Sequence, residues 1–362
     1  MAPIKIGLIG LSAEGSWASG SHLPALLKSP HYQITALQNR TEASAKKAVE
    51  KYDLPGQVAC HSDVDSLVRD PNVDVVVVSV KTPEHYRLTK PALEAKKDVF
   101  VEWPLGANLK QAEELTALAK AQGVRNMIGL QGRQNPSVLK AKEMVAAGKL
   151  GDILGTTMFA YGVIMGPVTP VALEYELTFE NGATLATIPT MHGTDALCFV
   201  LGEFKHLQAT LANHQPKMPI VDPTSGKVLR TVDNDTADQV SITGTLLNGA
   251  VATIVYQGGQ PPTEKGLYWE IRGTKGSLII EGPNGLLEMF PTTLKFVEHG
   301  GQPEEIETEI AADWAYNVGK AWDAFASGGP GSVPTFEDAL VRHRMIDAIH
   351  RSHERGTREA YL

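Results

Sequence analysis

The run Val73-Asp74-Val75-Val76-Val77-Val78-Ser79-Val80 is almost unbroken in β-branched residues and constrains the fold more than any other segment. A strand apolar on both faces must be covered on both, which places it inside a parallel sheet flanked by helices. Parallel strands need crossover connections, and the neighbouring sequence supplies them. Ile4 to Ile9 reads as a strand, followed by a glycine-bearing turn and a helical stretch through Leu23, Leu26 and Leu27. Tyr32 to Leu37, Asp98 to Val101 and Asn126 to Gly129 read as further strands, and Leu109 to Ala121 as a helix. This alternation predicts an α/β domain with a doubly wound parallel sheet of the Rossmann type.

Ligands collect at the C-terminal ends of strands in such sheets, so the turns there carry the candidate site. Gly10-Leu11-Ser12-Ala13-Glu14-Gly15 keeps the outer glycines of G-x-G-x-x-G and puts Ser12 in place of the middle one. Glycines let the backbone turn tightly and bring amides close to a pyrophosphate, and the Ser12 hydroxyl adds a group for a phosphate oxygen. A plain strand-to-helix turn would look similar. After the second strand, Asn39-Arg40-Thr41 stands where an acidic residue grips the ribose of NAD. Arg40 there favours the 2'-phosphate of NADP, with a solvated loop arginine as the bland alternative. Thr82, Pro83 and His85 leave the valine-rich strand, and Glu102-Trp103-Pro104 leaves the next one at the same edge. Glu102 would orient His85 or a ribose hydroxyl, or else cap a helix. Trp103 would wall a ligand pocket, or else plug it.

At 362 residues the chain exceeds one ordinary core, and its pattern changes near residue 130. Residues 1–128 read as the NAD(P)-binding domain and 129–362 as a larger α+β domain for substrate and oligomerisation. Short alternating runs at Thr156 to Tyr161, Gln239 to Thr245, Ala250 to Tyr256, Tyr268 to Arg272, Ser277 to Glu281 and Leu287 to Met289 predict a large, mainly antiparallel open sheet. Pro216 to Asp235 reads as a long loop. The helix Phe336 to His353, with Arg342, His343, Arg344, His350, Arg351 and His353, reads as a solvated basic face.

The 33 basic and 41 acidic residues give a net charge of -8 without a basic cluster, which argues against direct nucleic-acid binding. Two isolated cysteines, Cys60 and Cys198, suit a reducing compartment, and His192 with Asp195 lacks the companions of a metal site. Met1 to Lys5 runs straight into a strand pattern and no apolar run would span a bilayer, so the expected location is cytoplasmic, or nuclear for a regulator.

Taken together these segments resemble the glucose-fructose oxidoreductase, inositol dehydrogenase and MocA (Gfo/Idh/MocA) family. The residues that carry the likeness are Gly10 with Gly15, Thr82-Pro83 with His85, Glu102-x-Pro104, Gly148 to Ile153, His192 with Asp195, and Gly273-Thr274-Lys275-Gly276. The resemblance implies a Rossmann domain, a sheet domain whose exposed face makes a homodimer or larger homo-oligomer, and a site between them. It implies hydride transfer between nicotinamide and a small hydroxylated or keto substrate. The family's proton carriers are the lysine of Glu-Lys-Pro, a histidine, and an aspartate four residues before it. Here those positions hold Trp103, His192 and Ile188, so His192 alone remains as the acid/base, or is a core histidine; Tyr161 or Tyr175 would be a supporting donor. Gly10 to Ala13, Phe100 to Trp103, Leu130 to Arg133 and Gly244 to Gly249 are most similar to a branch of fungal galactose-pathway repressors. Arg133 is also in the expected cofactor set. The likeness to the repressors implies the alternative of a non-catalytic, dinucleotide-binding regulator that grips a partner protein.

Overall fold

In the computed structural model, which describes residues 2–263, 265–328 and 333–362, contacts divide the chain into two units. Met1–Gln131 joins Asp313–Leu340 in the first, and Gly132–Ala312 joins Val341–Leu362 in the second.

Elements are numbered along the chain. The first unit holds β1 (Ile4–Ile9), β2 (Tyr32–Gln38), β3 (Ala59–His61), β4 (Val75–Val78), β5 (Asp98–Val101) and β6 (Asn126–Ile128), all parallel, in the order β3-β2-β1-β4-β5-β6. The order reverses between β1 and β4, which defines the switch point of a doubly wound sheet. Val75 to Val78 are wholly buried, as expected of a strand covered on both faces. Its helices are α1 (Trp17–Gly20), α2 (His22–Lys28), α3 (Glu42–Lys51), α4 (Val64–Arg69), α5 (His85–Glu94) and α6 (Leu109–Gln122). The single helical stretch expected after the first turn is broken in two. Ser16 and Ser19 close a capping box around α1, and the Ser21 hydroxyl donates back to the Trp17 carbonyl.

A late segment completes this unit. Val318, Ala321, Trp322 and Phe325 of α9 (Trp314–Ser327) pack into one core with Leu26, Ile34, Val77 and Phe100. Trp322 is ringed by Tyr32 and Phe100, at 4.8 and 4.9 Å between centroids, and its carbonyl accepts from the Tyr32 hydroxyl at 2.7 Å.

The second unit contains α7 (Pro136–Ala146), β7 (Ile153–Tyr161), β8 (Thr169–Pro170), α8 (Pro189–Leu201), β9 (Phe204–Ala212), β10 (Lys217–Val221), β11 (Val228–Asp233), β12 (Gln239–Leu246), β13 (Val251–Gln257), β14 (Leu267–Gly273), β15 (Gly276–Gly282), β16 (Thr293–Glu298) and β17 (Glu304–Ile306). Eight strands run β17-β16-β15-β14-β7-β13-β12-β9, and only the β7–β13 pair is parallel. One face is buried through Met158, Ala160, Ile254, Trp269 and Ile271, while Phe159, Val255 and Tyr268 alternate to the other. Buried Trp269 satisfies its indole by donating to the Thr156 hydroxyl at 2.9 Å.

Three expectations are corrected here. Pro216 to Asp235 is not a loop: β10 and β11 pair antiparallel, and β10 pairs with β8. Met218 and Ile220 bury themselves on alternate positions, and the Asp222 carboxylate caps the connecting turn through the Thr224 and Ser225 amides. Leu287 to Met289 is a turn rather than a strand. The last helix, α10 (Phe336–Arg355), exposes Arg344 and His353 but buries Arg342 and His343. Arg342 is tolerated there because Glu203 and Asp195 face it. Burial pushes the His343 imidazole down to about 3, which keeps it neutral. No described helix is long and apolar enough to cross a membrane.

Candidate functional site

In the first unit the turn after β1 lies over the end of β4. Gly10 has φ +99°, and a Cβ there would overlap the Ser79 carbonyl oxygen, so only glycine lets the two strands approach at the switch point. Gly15 has φ +96° with nothing within 4 Å of a Cβ, which leaves the outer side of the turn open. Ser12 and Ala13 between them are half-buried. The Ser12 hydroxyl accepts from the Glu14 amide at 3.1 Å, leaving its own proton for a ligand oxygen, and its carbonyl accepts from Tyr52. Asn39 stitches the neighbouring turn to this one by donating to the Leu11 carbonyl at 2.8 Å. Arg40 is exposed and makes no hydrogen bond or ion pair among the described residues. Gly10, Gly15, Ser12, Asn39 and Arg40 thus lie on adjoining turns and fit a dinucleotide: a close-approach glycine, an open loop, a hydroxyl and an uncommitted guanidinium. The helix that follows is too short to add much dipole, so the turn itself would do the binding.

Thr82 is buried and Pro83 exposed in the single turn leaving β4. His85 differs from the expectation of a cofactor ligand. It is buried, with Nδ1 2.6 Å from the Pro104 carbonyl and Nε2 2.9 Å from the Val80 carbonyl, so both ring nitrogens are committed to backbone. Burial lowers its basicity, against the pull of the two carbonyls. Its role is to strap the turn after β4 to the turn after β5.

Glu102 orients a different histidine from the one expected. Its Oε1 lies 2.5 Å from Nε2 of His22, whose Nδ1 accepts from the Trp322 indole at 3.2 Å. Nδ1 as acceptor puts the ring proton on Nε2, facing the carboxylate. A Cβ at Gly129 would overlap Glu102 Oε2, which explains a glycine there. Trp103, in the position of the family's lysine, is 5 % exposed and is joined to Pro104 by a cis peptide. A groove of about 270 Å³ lined by Glu42, Lys46, Val49, Glu50, Val58 and Cys60 lies at the β3 edge, two strands away from β1, and has no part in this arrangement.

In the second unit His192 stands in the first turns of α8, 6 % exposed. Its Nε2 lies 4.0 Å from Oε1 of Glu288, and its buried Nδ1 has no hydrogen-bond partner among the described residues. Glu288 was not anticipated; it sits in the turn read as a strand. Arg133 is held bidentately by Asp195, Nε to Oδ2 and Nη2 to Oδ1 both at 2.8 Å, rather than displayed as an open cofactor ligand. Cys198, one turn further on, is buried, and burial pushes its thiol up to about 12, so it is no nucleophile. Tyr175 is a poor proton donor: burial, then Glu176, raise its hydroxyl far above the usual tyrosine range. Tyr161 ends β7, edge-on to Phe159 at 5.4 Å.

Residues 4–130 match the model of the oxidoreductase family with an NAD-binding Rossmann fold (Gfo/Idh/MocA), and residues 136–282 match that of the Gal80p C-terminal domain. The chain is 36% identical to dehydrogenase aclE of Aspergillus oryzae, over 99% of this chain and 98% of that protein. It is 28% identical to the galactose/lactose metabolism regulatory protein GAL80 of Saccharomyces cerevisiae, over 98% of this chain and 94% of the relative. A crystal structure of a super-repressor mutant of Gal80p from the same yeast superposes with a TM-score of 0.90 at 28% identity, covering 99% of this chain and 98% of that one. The chain therefore belongs to the Gfo/Idh/MocA oxidoreductase family, which has both dehydrogenases and Gal80-type regulators among its members similar to this chain.

Proposed function

We propose that the protein is an NAD(P)-dependent oxidoreductase acting on a small hydroxylated or keto substrate, with His192 as the acid/base. The observation that carries this is a buried imidazole whose Nδ1 has no partner among the described residues, in a chain that keeps the Gly10 approach at the switch point. A buried ring nitrogen without a partner is costly unless a ligand supplies one. When bound, nicotinamide supplies hydride exchange; the chain's own contribution is to take or give the hydroxyl proton at Nδ1. The similarity to dehydrogenase aclE along the whole chain supports the reading.

The division of labour follows the sequence: residues 1–128 for NAD(P) and 129–362 for substrate and self-association. In the first part Gly10, Ser12, Ala13 and Gly15 take the pyrophosphate, Asn39 and Arg40 the adenosine end, and Thr82 and Pro83 line the neighbouring turn. Glu102, His85 and Arg133 hold their surroundings in place, while Trp103 walls the pocket. Arg40 gives NADP the preference, since a guanidinium pairs with a 2'-phosphate. The sheet face bearing Phe159, Val255 and Tyr268 is the self-association surface of a homo-oligomer, and the compartment is the cytoplasm.

A second reading, a dinucleotide-binding regulator acting through a protein partner, in the nucleus as well as the cytoplasm, is favoured by Trp103 in place of lysine and by the Gal80p-type C-terminal region. The experiment is to titrate the protein with NADPH and NADH by fluorescence, then assay sugars, ketones and imines by absorbance. Turnover that is lost in His192→Ala supports the enzyme. Tight binding without turnover on any compound favours the regulator, and no binding of either nucleotide overturns both. Arg40→Asp is expected to weaken NADPH about tenfold or more while sparing NADH; equal effects would remove Arg40 from its role.

A further inference from the structure

In the second unit Tyr256, Tyr161 and Asn135 hold the turn that reaches His192. Gly193 beside it would overlap the Tyr256 hydroxyl if it carried a Cβ, and that hydroxyl donates to the Gly285 carbonyl at 3.0 Å. The Gly285 amide donates to the Tyr161 carbonyl at 2.8 Å, fixing the start of the following turn on the end of β7. Asn284 Oδ1 accepts the Leu286 amide at 2.9 Å, and Asn135 Nδ2 donates to the Leu287 carbonyl at 2.8 Å. The turn is thus pinned up to the residue before Glu288 and closed behind it by the Met289 amide on the Leu286 carbonyl at 2.9 Å, and the Glu288 side chain, 3 % exposed, reaches to 4.0 Å of His192 Nε2. Among the described residues, Tyr256 of β13 lies against the neighbouring Gly193, and Asp195 with Arg133 lies one turn along α8.

We propose that Glu288 is the positioning partner of His192, restoring from the turn before β16 the carboxylate that Ile188 does not provide. This rests on the acid/base role proposed for His192. Glu288 faces Nε2 and leaves Nδ1 toward the substrate. For a hydroxylated substrate the O–H bond would break, its proton passing to Nδ1 and its electron pair closing the C=O bond as the carbon's C–H bond releases hydride; the carboxylate then holds the positive charge on the ring. The hydride acceptor is the nicotinamide of the proposed function. An opposite charge 4 Å away in a buried site stabilises the imidazolium far more than it would in water.

A double-mutant cycle tests the pair without requiring activity. Thermal unfolding of the full chain is measured for wild type, His192→Asn, Glu288→Gln and the double variant at pH 6 and pH 9. A charged pair predicts Tm losses that are non-additive by about 2 °C or more at pH 6 and additive at pH 9. Additivity at both values overturns the proposal; Glu288→Met repeats the cycle if Glu288→Gln does not fold. Where a substrate has been found, Glu288→Gln is expected to lower kcat about tenfold to a hundredfold with KM changed less than threefold, and Glu288→Asp to recover part of the loss. An unchanged kcat overturns the proposal as well. Coupling at pH 6 in a protein without turnover would uphold the pair and reject the acid/base reading instead.

Discussion

Two glycines of one turn do different work. At Gly10 a Cβ meets the backbone of Ser79 and the left-handed φ is unfavourable, so neither rotamer change nor side-chain motion relieves the clash. At Gly15 only the φ is unfavourable, because the space around it is open. Gly10→Ala is therefore expected to cost more than about 2 kcal/mol and to abolish nucleotide binding, while Gly15→Ala costs about 1 kcal/mol. Thermal unfolding with and without NADH separates the two, and equal losses would show that the β1–β4 approach does not control the turn. The same contrast governs the histidines. His85 and His22 have both nitrogens facing partners and serve the architecture, whereas His192 alone of these three keeps a buried nitrogen without one.

At the scale of elements, what the sequence made legible is what burial writes locally. β4 shows itself because both its faces are covered, and β7, β12 and β13 because one face is. Partners far apart along the chain leave no such trace. The pairing of Glu102 with His22 joins positions 80 residues apart, and Glu288 hides in Leu-Leu-Glu-Met, which reads as a strand until Asn284 and Asn135 pin it as a turn. α10 failed for a related reason: a helix face rich in Arg and His looks solvated unless one knows that Glu203 and Asp195 lie opposite. That burial has a measurable consequence. His343 titrates near 6.5 when unfolded but about 3 when folded, so the unfolded chain binds the extra proton between those values and stability falls as pH drops through that window. His343→Leu is expected to flatten the acid slope by up to about 1.4 kcal/mol per pH unit in chemical-denaturation curves taken from pH 6.5 to pH 4. His350, lowered by burial in the same direction, would leave part of the slope in place, and an unchanged slope would refute the assignment to His343.

For the whole molecule, the order of segments in the sequence is not the order in which they pack. A division at residue 128 follows the change of pattern from α/β to mainly antiparallel sheet, yet the first unit closes only when α9 returns to it from the far end of the chain. Trp322 is 1 % exposed and sits against Tyr32, Phe100 and His22, so residues 1–131 alone would lack this side chain and open the three rings it covers to water. Removing a buried tryptophan typically costs about 3–5 kcal/mol, a large share of the stability of a domain this size, and here Val318, Ala321 and Phe325 leave with it. It also strips the Trp322 indole from His22, and so loosens the Glu102 turn that is proposed to support the cofactor site. A fragment of residues 1–131 is accordingly expected to melt without a cooperative transition and to bind no NADH, whereas the same fragment joined by a short flexible linker to residues 313–340 is expected to unfold cooperatively and to bind it. Calorimetry on the two fragments decides the matter: equal, cooperative melting would mean that α9 decorates the Rossmann unit instead of completing it.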